Sequence, residues 1–92
     1  MLHTINKSPF EKNTLETCLR LAVDGASILY IEDGVYSAVK NTKFEQLISD
    51  KIKNIKMYVL EPDLKARGLD KSSLINNIEV IDYQGFVKLA VE

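Results

Sequence analysis

Four short apolar runs, each closed by polar or turn-forming residues, constrain the fold of this chain more than any other feature. They are LHTI (2–5), ending at Asn6-Lys7-Ser8-Pro9; SILYIE (27–32), ending at Asp33-Gly34; IKMYVLE (55–61), ending at Pro62-Asp63; and IEVID (78–82). The second run is nearly continuously apolar, the pattern of a strand covered on both faces.

Helical patterns lie between the runs. Asn13 is placed to N-cap a helix, with Glu16 three residues on, a variant of the capping box. Leu15, Cys18, Leu19 and Ala22 follow at helical spacing, and Gly25 closes the segment. A second helix is expected from Val35, Tyr36, Ala38 and Val39, breaking near Asn41 and resuming at Phe44, Leu47 and Ile48. A third follows Pro62 and stops at Gly68, proline just inside and glycine just past the end. A last helix runs from about Tyr83 to Val91. Strand–helix alternation of this kind predicts parallel strands joined by right-handed crossovers. The expected fold is a small three-layer α/β/α sandwich with a mainly parallel sheet of about four strands, one domain over residues 1–92. The pattern leaves strand order open.

Bulk composition excludes several functions. A net charge of −1, with 46% apolar and 27% charged residues, describes an ordinary soluble globular protein without general attraction to phosphate backbones or anionic membranes. The single cysteine cannot form an internal disulfide, which fits a reducing cytosol. MLHTINKSPF lacks a basic start and an apolar secretory core, and no apolar run approaches the roughly 20 residues that span a bilayer. A cytoplasmic protein is the expectation.

In a parallel sheet the strand-to-helix turns share the carboxyl edge, where α/β proteins place their sites. That edge is expected to carry Asn6, Lys7, Ser8, Glu32, Asp33, Gly34, Glu61, Asp63, Asp82 and Tyr83, with acids outnumbering the one lysine. The first turn has no glycine-rich phosphate loop, and an acidic rim repels phosphate. His3 and Cys18 are not at metal-ligand spacing, and His3 reads as a partly buried histidine with one hydrogen bond. The rim carboxylates lack an EF-hand pattern, and Asp33 is expected to N-cap the helix after it. One imidazole and no GxSxG elbow give acyl transfer little support. Lys51, Lys53 and Lys56 are diluted by Asp50 and Glu45 and read as a solvated face rather than a nucleic-acid patch. Tyr30, Tyr36, Tyr58 and Phe10 serve either as core or as apolar surface for an assembly.

Cys18 is the one candidate nucleophile. Reactive thiols are exposed and lie near a helix N-terminus or cations. Cys18 falls about five residues past the expected cap, beyond the strongest helix field, among Leu15, Leu19 and Ala22, with Thr14 the one polar neighbour on that face. Spacing therefore favours core packing. The alternative is that this helix face meets a partner's reactive centre.

MLHTINKSPF, EDGVYSAV, YVLEPDLKARGL and IDYQGFVKL, in that order from Met1 to Leu89, resemble the TusB/DsrH family. The resemblance implies a DsrEFH-like fold and an accessory, noncatalytic role in a sulfur-relay complex. Members assemble with TusC/DsrF-like and TusD/DsrE-like subunits into a heterohexamer holding two copies of each. In the Tus version, persulfide sulfur passes from a TusA-like donor through the complex to a TusE/DsrC-like acceptor. It ends as the 2-thio group of the tRNA wobble uridine. In the Dsr version, related proteins serve dissimilatory sulfur oxidation. The principal acceptor cysteine lies on the TusD/DsrE-type subunit. The resemblance implies no cofactor, no metal, no direct contact with nucleic acid and no membrane. NKSPFEKNTLETCLRLA is similar to DsrH-type members, cysteine included, which makes Cys18 a candidate sulfur-handling thiol, either beside a partner's persulfide or as a direct sulfurtransferase nucleophile. Lys7 and Arg67 are candidates for positive potential near a thiolate. The chain ends at Val91-Glu92, without the longer tryptophan-bearing tail of some relatives, so contacts made by that tail are not expected.

Overall fold

The computed structural model describes residues 2–8 and 25–91. Four strands, β1 (Leu2–Ile5), β2 (Ser27–Tyr30), β3 (Lys56–Leu60) and β4 (Glu79–Ile81), form one sheet in the order β1-β2-β3-β4. All three pairings are parallel. Each strand lies inside the apolar run that announced it. The helix expected after Asn13, and with it Cys18 and Phe10, lies outside the described residues.

Between β2 and β3 the chain forms a 3-10 helix, η1 (Glu32–Ala38), and then α1 (Glu45–Lys51). Asn41, at φ +68°, makes the break between them, a left-handed conformation that asparagine tolerates. Its N–H donates to the Glu45 carboxylate. Between β3 and β4 lie α2 (Glu61–Ala66) and a short 3-10 turn, η2 (Lys71–Ser73). Pro62 occupies the first turn of α2, and Gly68 ends it at φ +70°. Asp70 caps η2. Its carboxyl is held below the usual range by the Ser72 hydroxyl and by the Ser72 and Ser73 amides, against a smaller desolvation effect. The C-terminal helix α3 spans Tyr83–Val91.

Register explains the layers. Ile5, Tyr30, Val59 and Val80 lie side by side across the sheet, with His3, Ile28 and Met57 in the row below. These rows face one side, because strand side chains alternate. The strand order rises through β2, β3 and β4, and right-handed connections between them place both described crossovers on that same side. Val35 and Ala38 of η1, Ile48 of α1, Leu64 of α2, and Leu74 and Ile75 after η2 accordingly join Ile5, Ile28, Tyr30, Met57 and Val59 in one core. Each fully buried aliphatic side chain there contributes about 1.5–3 kcal/mol. The opposite face carries Thr4, Leu29, Tyr58 and Glu79 in one row and Leu60 and Ile81 in the next. Helix α3 leans on that face: a Cβ at Gly85 would stand 3.0 Å from Ile81 Cβ. The result is the expected small α/β sandwich with an all-parallel sheet. No described helix is long and apolar enough to cross a membrane.

One open alternative resolves and one expectation changes. Tyr30 offers no surface to an assembly: it is fully buried, and its hydroxyl donates to Met57 Sδ at 3.4 Å. The segment after β2 begins as a 3-10 helix at Glu32 rather than as a helix capped by Asp33. Its N-cap is Ile31, with no side-chain cap bond. The reason lies at the carboxyl edge.

Candidate functional site at the carboxyl edge

The parallel sheet brings all four strand ends to one edge, as the alternation of runs requires. The turn after β2 is pressed onto the end of β1. Ile31 N–H donates to Ile5 O at 2.9 Å, and Gly34 N–H closes the turn on Ile31 O at 2.8 Å. Gly34 then lies so near β1 that a Cβ would stand 1.9 Å from Ile5 O and 2.6 Å from its carbonyl carbon. This close approach, not a positive φ, demands glycine there. It also holds the chain in the tight 3-10 turn that displaces Asp33 from the capping position.

The turns after β2 and β3 are tied to each other. Glu32 sits at φ +49°, uncommon for a residue with a side chain, and its N–H donates to Asp63 Oδ2 at 2.7 Å. Arg67, at the end of α2, reaches back to the same place. Its Nε and Nη2 each lie 3.0 Å from Asp33 Oδ1, and its Nη1 donates to the Asp63 carbonyl at 3.0 Å. The Arg67 side chain is 21% exposed and that of Asp33 52%, so the pair is worth only about 1 kcal/mol as an ion pair. Its effect is geometric. It fixes Asp33, Glu32 and Asp63 as one unit.

The other rim residues have local duties. Asp82 Oδ1 accepts from Gly85 N–H at 2.9 Å and caps α3. Glu61 lies 3.8 Å from Lys65, one helical turn on. Asn6 and Lys7 are exposed, Ser8 is half-buried, and Tyr83 is exposed at the start of α3. His3 is half-buried in the core-facing row of β1. Ser37 of η1 is fully buried, and its hydroxyl has no hydrogen-bond partner among the described residues.

This edge is an ordered acidic surface. Of the two cations proposed to supply positive potential, Arg67 has its charge met by Asp33, while Lys7 is exposed just past β1 and has no ion pair among the described residues. Among the described residues no three histidine, cysteine or carboxylate side chains gather as metal ligands would. Lys53 and Lys56 are exposed and Lys51 half-buried, matching the solvated face read from the sequence. Among the described residues, two surface cavities, of about 170 and 150 Å³, lie beside β3–β4 and between α2 and β4. Both fall below the roughly 300 Å³ at which small-molecule pockets begin. The Arg67–Asp33 pairing escaped sequence reading because its partners lie on different crossovers.

A sheet of four parallel strands in sequential order has solved counterparts. The ychN protein from E. coli superposes with a TM-score of 0.84, covering 99% of this chain and 91% of its own, at 16% identity. Protein MTH1491 from Methanobacterium thermoautotrophicum superposes at 0.76, covering 98% and 88%, at 14% identity. These likenesses concern the fold. Sequence carries the kinship further. The family described as DsrH like protein matches residues 7–92. Protein TusB of Escherichia coli (strain K12) is 40% identical over 92 residues, covering 100% of this chain and 93% of its own length. Protein TusB of Enterobacter sp. (strain 638) is 37% identical over the same span. The chain belongs to the TusB/DsrH family.

Proposed function

We propose that this chain, acting as one domain over residues 1–92, is an accessory subunit of a cytoplasmic sulfur-relay complex of the TusBCD type. The relay most directly served is 2-thiolation of the tRNA wobble uridine. The observation that carries this reading is the 40% identity to Protein TusB of Escherichia coli across the whole chain. The rim supports it from the other side. Its fixed cation is engaged by Asp33, and its carboxylates cap turns, so the described edge is built for shape rather than for turnover.

In this reading the chain joins TusC/DsrF-like and TusD/DsrE-like subunits in a heterohexamer. A TusA-like donor delivers persulfide sulfur to the complex, and a TusE/DsrC-like acceptor removes it. The main acceptor thiol belongs to the TusD/DsrE-like subunit, and Cys18 is the residue through which this chain would touch sulfur itself. The match to the family described as DsrH like protein supports a second reading, in which the same assembly serves dissimilatory sulfur oxidation.

Co-expression with the two paralogous subunits, followed by mass measurement in solution, tests the assembly. The expected result is one species containing all three chains at equal ratio. Recovery of this chain alone, with the paralogues associated without it, would refute the proposal.

A further inference from the structure

Helix α3 is apolar on more sides than the sheet can use. Phe86 and Leu89 are half-buried, and Gly85 of the same helix approaches Ile81 of the sheet. Tyr83, Val87 and Val91 recur every four residues on the outward side, forming one ridge. They are 59, 60 and 79% exposed. Helix α1 buries Ile48 and α2 buries Leu64, whereas α3 buries no residue. A helix apolar on both sides is built to be covered on both.

Charge selects what covers it. The ridge begins at the acidic strand ends, beside the exposed Asp82, and Lys88 adjoins its central residue, Val87. Asp82 and Lys88 are six residues apart, about 9 Å along the axis. Consider a second copy packed ridge to ridge about a two-fold axis. If the helices run antiparallel, like flanks face each other, and Lys88 meets Lys88 of the copy. If they run parallel, the two acidic edges lie side by side. Both arrangements oppose like charges across the contact, which costs affinity.

We propose that the Tyr83–Val87–Val91 ridge docks a non-identical subunit. Its surface presents an apolar ridge with a carboxylate opposite Lys88 and a cationic side chain about 9 Å away, over Asp82. The inference rests on the sulfur-relay reading, because that reading supplies the non-identical subunits. Three side chains are less than a standard interface of about 800 Å² per partner needs, so the contact continues past α3.

The test uses the full-length chain co-expressed with the two paralogous subunits. Val87→Asp should leave the isolated chain folded, because Val87 faces solvent there, yet weaken assembly roughly tenfold or more by burying a charge among apolar groups. Lys88→Glu should also weaken it, while Lys53→Glu, in the turn before β3, should not. Amide exchange across residues 83–91 should slow in the complex relative to the isolated chain, a readout that needs no variant. Wild-type assembly of both Val87→Asp and Lys88→Glu, with no added protection of α3, would overturn the inference and leave the sulfur-relay reading intact. A wild-type homodimer that Val87→Asp converts to monomer would overturn it in favour of a second copy. Failure of the wild-type chain to join either paralogue would remove the relay reading and this inference together.

Discussion

Gly34→Ala is expected to abolish stable folding, or to lower stability by more than about 4 kcal/mol, the range reserved for severe steric or core damage. The added Cβ would stand 1.9 Å from Ile5 O and 2.6 Å from the Ile5 carbonyl carbon. Both are backbone atoms, so no side chain can swing aside. Either β1 withdraws from β2, losing the Ile31 N–H to Ile5 O bond, or η1 lifts and exposes Val35 and Ala38. A contrast isolates the cause. Gly68 sits at φ +70° with open space where a Cβ would be, so Gly68→Ala should cost only about 1–2 kcal/mol of left-handed strain. Urea denaturation of the two variants measures both. A Gly34→Ala midpoint at or above that of Gly68→Ala would show that η1 does not pack on β1 as described.

Leu64→Ala is expected to cost about 2–5 kcal/mol, through lost transfer free energy and the cavity left behind. Leu64 is 2% exposed and is the one buried side chain of α2. Its loss should be felt beyond the core, because α2 also carries Asp63 and ends at Arg67. Those two residues hold the Glu32 amide and the Asp33 carboxylate. Exchange of the Glu32 amide proton should therefore speed up in Leu64→Ala by more than it does in Arg67→Ala, which removes a part-exposed ion pair and one hydrogen bond to the Asp63 carbonyl but leaves α2 packed. Equal Glu32 exchange in wild type and Leu64→Ala would show that the rim is held by something other than α2.

Much of this was legible in the residues. LHTI, IKMYVLE and IEVID placed β1, β3 and β4, Pro62 and Gly68 bounded α2, and Asn41 marked the break before α1. Local patterns suffice for such elements because apolar alternation and turn chemistry act over a few residues. Strand order was not legible, because each strand is an apolar run of similar kind and nothing in it specifies its neighbour. Asp33 misled for a related reason. Asp-Gly before an apolar stretch reads as a helix start, but the close approach of Gly34 to β1 is a tertiary contact made across some 29 positions. Tyr30 and Tyr58 look alike in sequence, yet register turns Tyr30 into the core and Tyr58 to the opposite face. The rim acids were foreseen, while the Arg67 clasp that orders them was not, since it joins two crossovers. The outward ridge of α3 was visible only as a helix with apolar residues to spare.

As an accessory subunit, this chain should lend shape to a sulfur relay whose reactivity resides in its companions. The most direct measurement follows radiolabelled persulfide sulfur from a TusA-like donor to a TusE/DsrC-like acceptor. It compares the isolated chain, the assembled complex, and the complex carrying Cys18→Ser. The expected result is no turnover by the isolated chain, turnover by the complex, and retention of most of it with Cys18→Ser. Sustained transfer by the isolated chain, lost on Cys18→Ser, would contradict it.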